Sequence, residues 1–284
     1  MTKIKNTLEP KWVKSVLFFI TGIFLFVFIF LPLATIFREA FRSGILSYFG
    51  SFNDPDVASS IRLSLLTVLI CVPVNTVFGI LFAWLITKFE FPGKNILVTI
   101  IEIPFSISPV IAGLLFIFIF GSFGWFGTWL MERGIKIVFA IPGVVLVTLF
   151  VTLPFVAREL IPLMRELGKE DEEAAVTLGA SGFKVFWKIT LPNIKWALIY
   201  GIILTNARAM GEFGAVAVVS GLIRGVTTTM PLYIDILYGE YMFRAAFAVA
   251  SLLTFLALVT IAVKAILEHV AASQRKSYEI QVKL

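Results

Sequence analysis

The chain has 284 residues, of which 59% are hydrophobic and 15% charged, and its mean hydropathy of +0.96 lies far outside the range of a soluble domain of this length. Apolar stretches of roughly 20 residues or more favour helices and leave a transmembrane barrel, whose strands are short and alternating, a remote alternative. The formal charge of +6 does not mark a nucleic-acid-binding protein, because the basic residues sit in short segments between apolar runs and form no continuous stripe.

Residues 1–14 carry Lys3, Lys5, Lys11 and Lys14 and read as a segment ahead of the first apolar run, Val16–Ile36. That run is longer than the core of a secretory signal and has no small-residue cleavage site, so it is expected to stay as a membrane helix. The second run, Ile61–Ile86, holds the sole cysteine, Cys71, which is assigned to packing; no internal disulfide is possible. A short loop with Lys88 and Lys94 leads into the third run, Ile96–Gly121.

Within that third run the segment Glu102-Ile103-Pro104-Phe105-Ser106-Ile107-Ser108-Pro109 places two prolines inside a membrane helix, which predicts that the helix is bent or interrupted. Glu102 lies about 12 Å along the helix from Lys94 and so falls within the hydrocarbon, without an identified partner. The loop Ser122–Lys136 carries Trp125, Phe126 and Trp129 beside glycines, the composition of a short helix at headgroup level. The fourth run is Ile137–Leu160, with Arg158 and Glu159 near its inner end assigned to interface and loop packing.

The longest connection, Ile161–Asn193, changes composition sharply. Glu170, Asp171, Glu172 and Glu173 mark a helix start, where carboxylates interact favourably with the positive end of the helix dipole, and the alanines behind them are strong helix formers. Gly179 and Gly182 let the chain stop and turn. Ala174, Ala175 and Leu178 form a small apolar face standing in water, which calls for a partner's groove.

The fifth run, Ile194–Val219, contains Arg208 and Glu212. A charge at the bilayer centre costs about 3 kcal/mol on insertion scales, and the i, i+4 spacing allows the two to pair on one helix face. The fifth loop, Gly221–Tyr241, with Thr227, Thr228, Thr229 and Pro231, either meets a substrate-delivering partner or is a simple re-entrant connection. A sixth run, Phe243–Leu267, precedes His269, to which no role is assigned, and a tail, 269–284.

Lysine and arginine are concentrated before the first run, in the second loop and in the fourth, where Arg165, Lys169, Lys184, Lys188 and Lys195 cluster. Both termini are therefore expected on the cytoplasmic side of an all-α polytopic membrane protein with about six transmembrane helices. No length remains for a soluble domain, so the energy for any transport comes from another chain.

Glu173-Ala174-Ala175, Gly179 after three intervening residues, and Ile189-Thr190-Leu191-Pro192 after nine more resemble the EAA signature of ABC importer permeases. Leu153–Glu159, Asn206–Val216 and Ala246–Ser251 resemble the sulfate/thiosulfate permeases, and Val218-Val219-Ser220-Gly221 is similar to their W-type subunits. The resemblance covers the chain from about Ser60 to the last run. It implies a type I ABC importer fold (the MetI-like permease fold), with a permease domain over 15–268 and a coupling helix at about 168–182 seated in a cytoplasmic ATPase.

It further implies that Glu172, Glu173, Ala174, Ala175, Leu178 and Gly179 serve coupling. The implied partners are a T-type permease subunit, two copies of an ABC ATPase and a periplasmic sulfate-binding protein, in a bacterial inner membrane. The chain itself is expected to be non-catalytic and free of cofactors and metal, with ATP and Mg on the ATPase subunits. Candidates for the anion pathway are Arg208, Glu212, Ser106, Ser108 and Ser220. Arg208 and Glu212 equally suit an ion pair that fixes helix packing, and the two serines equally suit repair of a proline-kinked helix. A molybdate or tungstate permease, and an autonomous channel or secondary transporter, are the rival readings.

Overall fold

The computed structural model describes residues 11–282, and every described element is helical or irregular. The first helix, α1 (Trp12–Phe41), is one 30-residue span. Its most apolar window is 0% buried in the chain, and Phe24–Phe28 and Phe26–Phe30 stack along its surface at i, i+4 spacing. A helix so apolar forms because nothing in lipid competes for its backbone hydrogen bonds. A short helix α2 (Ile45–Gly50) follows Gly44, whose φ of +89° makes the turn.

Helix α3 (Pro55–Lys88) opens with Asp54, whose side chain accepts the Asp56 N–H at 2.8 Å, and with Pro55 at its first turn. Between the larger buried residues Val57, Leu63 and Ile86 its buried stripe is Ser60, Ser64, Thr67, Cys71, Asn75, Gly79 and Ala83, while Leu65, Leu66, Leu69, Phe78 and Leu81 are exposed. Small and polar inside with large and apolar outside is the pattern of a helix solvated by lipid, where close backbone approach and interhelical hydrogen bonds replace the hydrophobic effect. Asn75 Nδ2 donates to Thr152 Oγ1 at 2.7 Å and to the Leu149 carbonyl at 3.2 Å. Gly79 is equally specific: a Cβ there would lie 2.5 Å from that of Val156.

The third apolar run is not a single crossing. Helices α4 (Lys94–Ser106) and α5 (Pro109–Phe120) meet at 109°. The corner has a local cause: Pro109 disfavours helical geometry at Ser108, and both Ile107 (φ −89°, ψ 139°) and Ser108 (φ −56°, ψ 133°) are extended. The interruption expected from the two prolines is present, and it is a sharp corner. A short helix α6 (Gly127–Glu132) follows where the tryptophan-bearing loop was expected to form one, with Arg133 over the Trp129 ring at 4.1 Å.

Helix α7 (Ile141–Leu167) is a 27-residue span running seven residues past the predicted end of the fourth run. The connection between the fourth and fifth runs therefore begins at Gly168 and not at Ile161. It consists of α8 (Glu170–Thr177) and a turn into α9 (Gly182–Met210), which starts well before the predicted Ile194. Helix α9 ends at a 50° bend into α10 (Gly214–Ser220), so the fifth run is also a broken pair.

The fifth loop contains α11 (Met230–Gly239), whose Met230, Leu232, Tyr233 and Leu237 are buried. Its first N–H, that of Met230, donates to Ser64 Oγ on α3 at 2.8 Å. Thr227, Thr228 and Thr229 are buried as well, which removes them as contacts for a delivering partner. Helix α12 (Phe243–Val282) continues through the segment read as a tail. Lengths and apolarity give four unbroken crossing helices among the described residues, and six spans if each bent pair counts as one.

Candidate functional site

Two regions hold most of the predicted residues, one at the connection between α7 and α9 and one where the broken helices cross. Gly168 begins the first. Its φ of +69° with ψ −154° belongs to glycine alone, and a Cβ there would collide with Glu170 Oε2 at 2.2 Å. This turn swings α8 away from α7. Helix α8 ends in a Schellman motif: Gly179 at φ +85°, its N–H donating to the Val176 carbonyl at 2.9 Å, and the Ala180 N–H to the Ala175 carbonyl at 3.0 Å. The alanine-to-glycine spacing of the signature is thus a helix cap. Beyond it, Gly179 has open space around it.

The side chains of α8 divide into two faces. Glu173, Ala174, Val176 and Leu178 are exposed, Leu178 at 88%. Glu172 and Ala175 turn partly inward. Glu172 was grouped with the ATPase-facing residues, and the fold places it against its own chain. Its Oε2 lies 2.9 Å from Lys88 Nζ at the end of α3, and its Oε1 accepts from Thr190 Oγ1 at 2.6 Å in α9. Lys88 also donates to the Gly168 carbonyl at 2.7 Å. Only 9% of the Lys88 side chain is exposed.

Lys88 and Thr190 thus clamp the acidic helix to two membrane helices. Lys88 had been read as a topology signal. Sequence reasoning misses such a partner because 84 residues separate it from Glu172; an acidic cluster in need of a cation is the one available hint.

In the second region Arg208 Nη1 lies 2.6 Å from Glu212 Oε2, with 32% of the arginine and 1% of the glutamate side chain exposed. The predicted pairing forms, though not on one helix face. Arg208 ends α9, and Glu212 sits in the break, where its Oε1 also accepts the Ala215 N–H of α10 at 2.9 Å. Glu212 thereby serves the start of one helix and the cation at the end of another.

The two breaks touch: a Cβ on Gly214 would meet Pro109 Cβ at 3.2 Å, and one on Gly113 would meet the Ala215 carbonyl at 2.7 Å. Ser106 and Ser108, at the other corner, are exposed, and neither hydroxyl makes a hydrogen bond among the described residues, so they do not repair the kink. Ser220 is not brought to this place. It is buried at the far end of α10, where its hydroxyl accepts the Leu222 N–H at 3.2 Å and its carbonyl accepts Thr227 Oγ1 at 2.7 Å. Near the serines, the Arg158 guanidinium lies over the Phe105 ring at 4.1 Å.

An open cleft of about 1010 Å³ lies elsewhere, lined by Glu39, Arg42, Asp54 and Arg244. No cluster of metal-ligating side chains exists among the described residues.

A lipid-solvated helical bundle with broken spans, from which a capped acidic helix projects, is the architecture of a membrane transport subunit. Residues 75–276 match the model of the binding-protein-dependent transport system inner membrane components, and the chain belongs to that family. It is 49% identical over 261 residues to the sulfate transport system permease protein CysW of Escherichia coli strain K12, covering 91% of this chain and 90% of that protein. With CysW of Synechocystis it shares 48% over 257 residues, 90% of this chain and 93% of the relative. Similarity to CysT of Escherichia coli strain K12 is lower, 34% over 231 residues, 81% and 83% of the two chains.

Among solved structures, a bacterial ABC transporter involved in alginate import has a chain of the same fold. Its TM-score is 0.73 at 18% identity, over 92% of this chain and 96% of that one. The all-α polytopic architecture is accordingly the type I ABC importer (MetI-like) permease fold.

Proposed function

We propose that the chain is the W-type permease subunit of an ATP-driven sulfate/thiosulfate importer, working beside a T-type permease, two ATPase subunits that bind ATP and Mg, and a periplasmic sulfate-binding protein. Both termini face the cytoplasm. The observation that carries the coupling half of this reading is the divided α8: an exposed Glu173-Ala174-Leu178 face free to enter a groove, and an inward Glu172 held by Lys88 and Thr190. The anion half is supported by near-half identity to sulfate permeases over nine-tenths of both chains.

Mechanically, closure of the ATPase pair displaces α8. The clamp makes that displacement a displacement of α3 and α9 together, because a salt bridge with 9% and 19% exposure and a 2.6 Å hydrogen bond leave little slack. Helix α9 ends at the Arg208–Glu212 break, so movement at its cytoplasmic end reaches the intramembrane corner. Rocking between two packed states is the kind of change such a bundle supports.

The test is reconstitution of the complete complex in liposomes with uptake of labelled sulfate. Uptake that needs both ATP and the loaded binding protein is expected. Uptake by this chain alone without ATP would make it a channel or secondary transporter, and uptake of molybdate but not sulfate would change the cargo.

A further inference from the structure

We infer that Arg158 is an anion-contacting residue of the transport pathway, the cation that receives the oxyanion between the Arg208 level and the cytoplasm. This deepens the sulfate-permease reading and rests on it. Arg158 stands about 13 Å along α7 from its end at Leu167, and Phe105, on which it lies, is about 16 Å along α4 from Lys94. Helix α7 is 27 residues long, about 40 Å, and overruns a hydrocarbon layer about 30 Å thick, so the guanidinium lies within the span toward its Leu167 end. It is exposed on the chain's surface. An exposed guanidinium there is costly against lipid tails, so water, an anion, a lipid headgroup or another protein chain has to meet it.

Its availability sets it apart from Arg208. Arg208 already has a carboxylate at 2.6 Å. Among the described residues Arg158 has none within ion-pair distance; its contact is the Phe105 ring face at 4.1 Å, which in turn packs edge-on against Phe155. A ring holds the guanidinium in place and leaves its in-plane N–H donors free, the geometry suited to a tetrahedral oxyanion. Ser106, the residue after Phe105, is exposed with its hydroxyl unbonded. One carboxylate belongs to the surroundings: Glu159, the next residue on α7, feels the charge of Arg158. Negative charge close by keeps a dianion from being held too long, as a conducting site requires.

The experiment uses the assembled transporter in liposomes. Arg158→Gln is expected to lower the maximal rate of labelled sulfate uptake about tenfold or more, with the half-saturating binding-protein concentration and the ATPase stimulation by loaded binding protein unchanged, while Arg158→Lys retains most of the rate. Arg158→Cys is expected to react with water-soluble methanethiosulfonates; Cys71 is 0% exposed and spared. The trimethylammonium reagent should restore uptake and the sulfonate reagent should not.

Normal uptake by Arg158→Gln, rescue by both reagents alike, or failure of the cysteine to react would overturn the inference. Loss of the permease heterodimer in Arg158→Gln would overturn it too, in favour of a contact with the partner chain. A wild-type complex that does not carry sulfate would instead remove the underlying reading.

Discussion

Arg208 and Glu212 meet at 2.6 Å across the end of a helix, with the carboxylate almost wholly buried and its other oxygen holding the first turn of α10. Removal of either partner therefore has a structural cost and a functional one, and the two can be separated. Arg208→Ala is expected to abolish uptake and to destabilise the chain by about 3–5 kcal/mol, because it leaves a buried charge without its counter-ion. Arg208→Ala with Glu212→Gln removes that charge and retains an oxygen for the Ala215 N–H. Thermal unfolding in detergent should recover in the double variant while uptake stays absent; recovery of both would assign the pair to packing alone.

Lys88 is the joint between α8 and the membrane helices. Lys88→Met is expected to cost about 1.5–3 kcal/mol locally, the scale of hydrogen bonds to charged groups, and to separate ATP hydrolysis from transport. Each sulfate imported should then consume several-fold more ATP. Exchanging the charges, Lys88→Glu with Glu172→Lys, should restore part of the coupling ratio. An unchanged ratio in Lys88→Met would show that α8 moves the bundle by another contact.

Gly179 sits at φ +85° with nothing within 4 Å of a hypothetical Cβ. Gly179→Ala therefore meets no clash, and its cost is the left-handed backbone, about 1–2 kcal/mol, confined to the cap of α8. Co-purification of the ATPase should fall while the unfolding temperature of the permease changes little. Gly179→Asn should be milder, since asparagine tolerates this conformation better. Equal ATPase recovery with all three residues would mean that the cap does not shape the docking face.

Gly113 and Gly22 contrast a packed with an open glycine in membrane helices. A Cβ on Gly113 lies 2.7 Å from a backbone carbonyl and 2.8 Å from Val218 Cβ, neither of which is a flexible end, whereas Gly22 has nothing within 4 Å. Gly113→Ala should cost about 1–3 kcal/mol by forcing α5 and α10 apart, measured as a lower unfolding temperature and lower yield. Gly22→Ala should be silent in both.

Much of the architecture is legible along the chain because its causes are local. Apolar runs must become helices in lipid, Pro109 breaks the third run while Pro104 stays inside α4, and Glu170–Glu173 followed by Gly179 specify where α8 starts and stops. The Arg208–Glu212 pairing is legible for the same reason, since its members are four residues apart. Less legible are the run boundaries: Pro154 and Pro162 sit inside an uninterrupted α7, and the apolar contacts of α11 turn an apparent loop into core.

What the tertiary structure alone decides is which way each charged side chain faces. Glu172 and Glu173 are neighbours of one chemistry, and only the arrival of Lys88 and Thr190 from other helices turns the first inward and leaves the second to a partner. Arg208 reads in sequence as an intramembrane charge and Arg158 as interface and loop packing, and the fold neutralises the first and seats the second on an aromatic ring. The physical reason is common to both cases. Helix formation is settled by the residues within a turn or two, whereas an ion pair depends on which helices pack together, and that packing joins positions separated by many tens of residues.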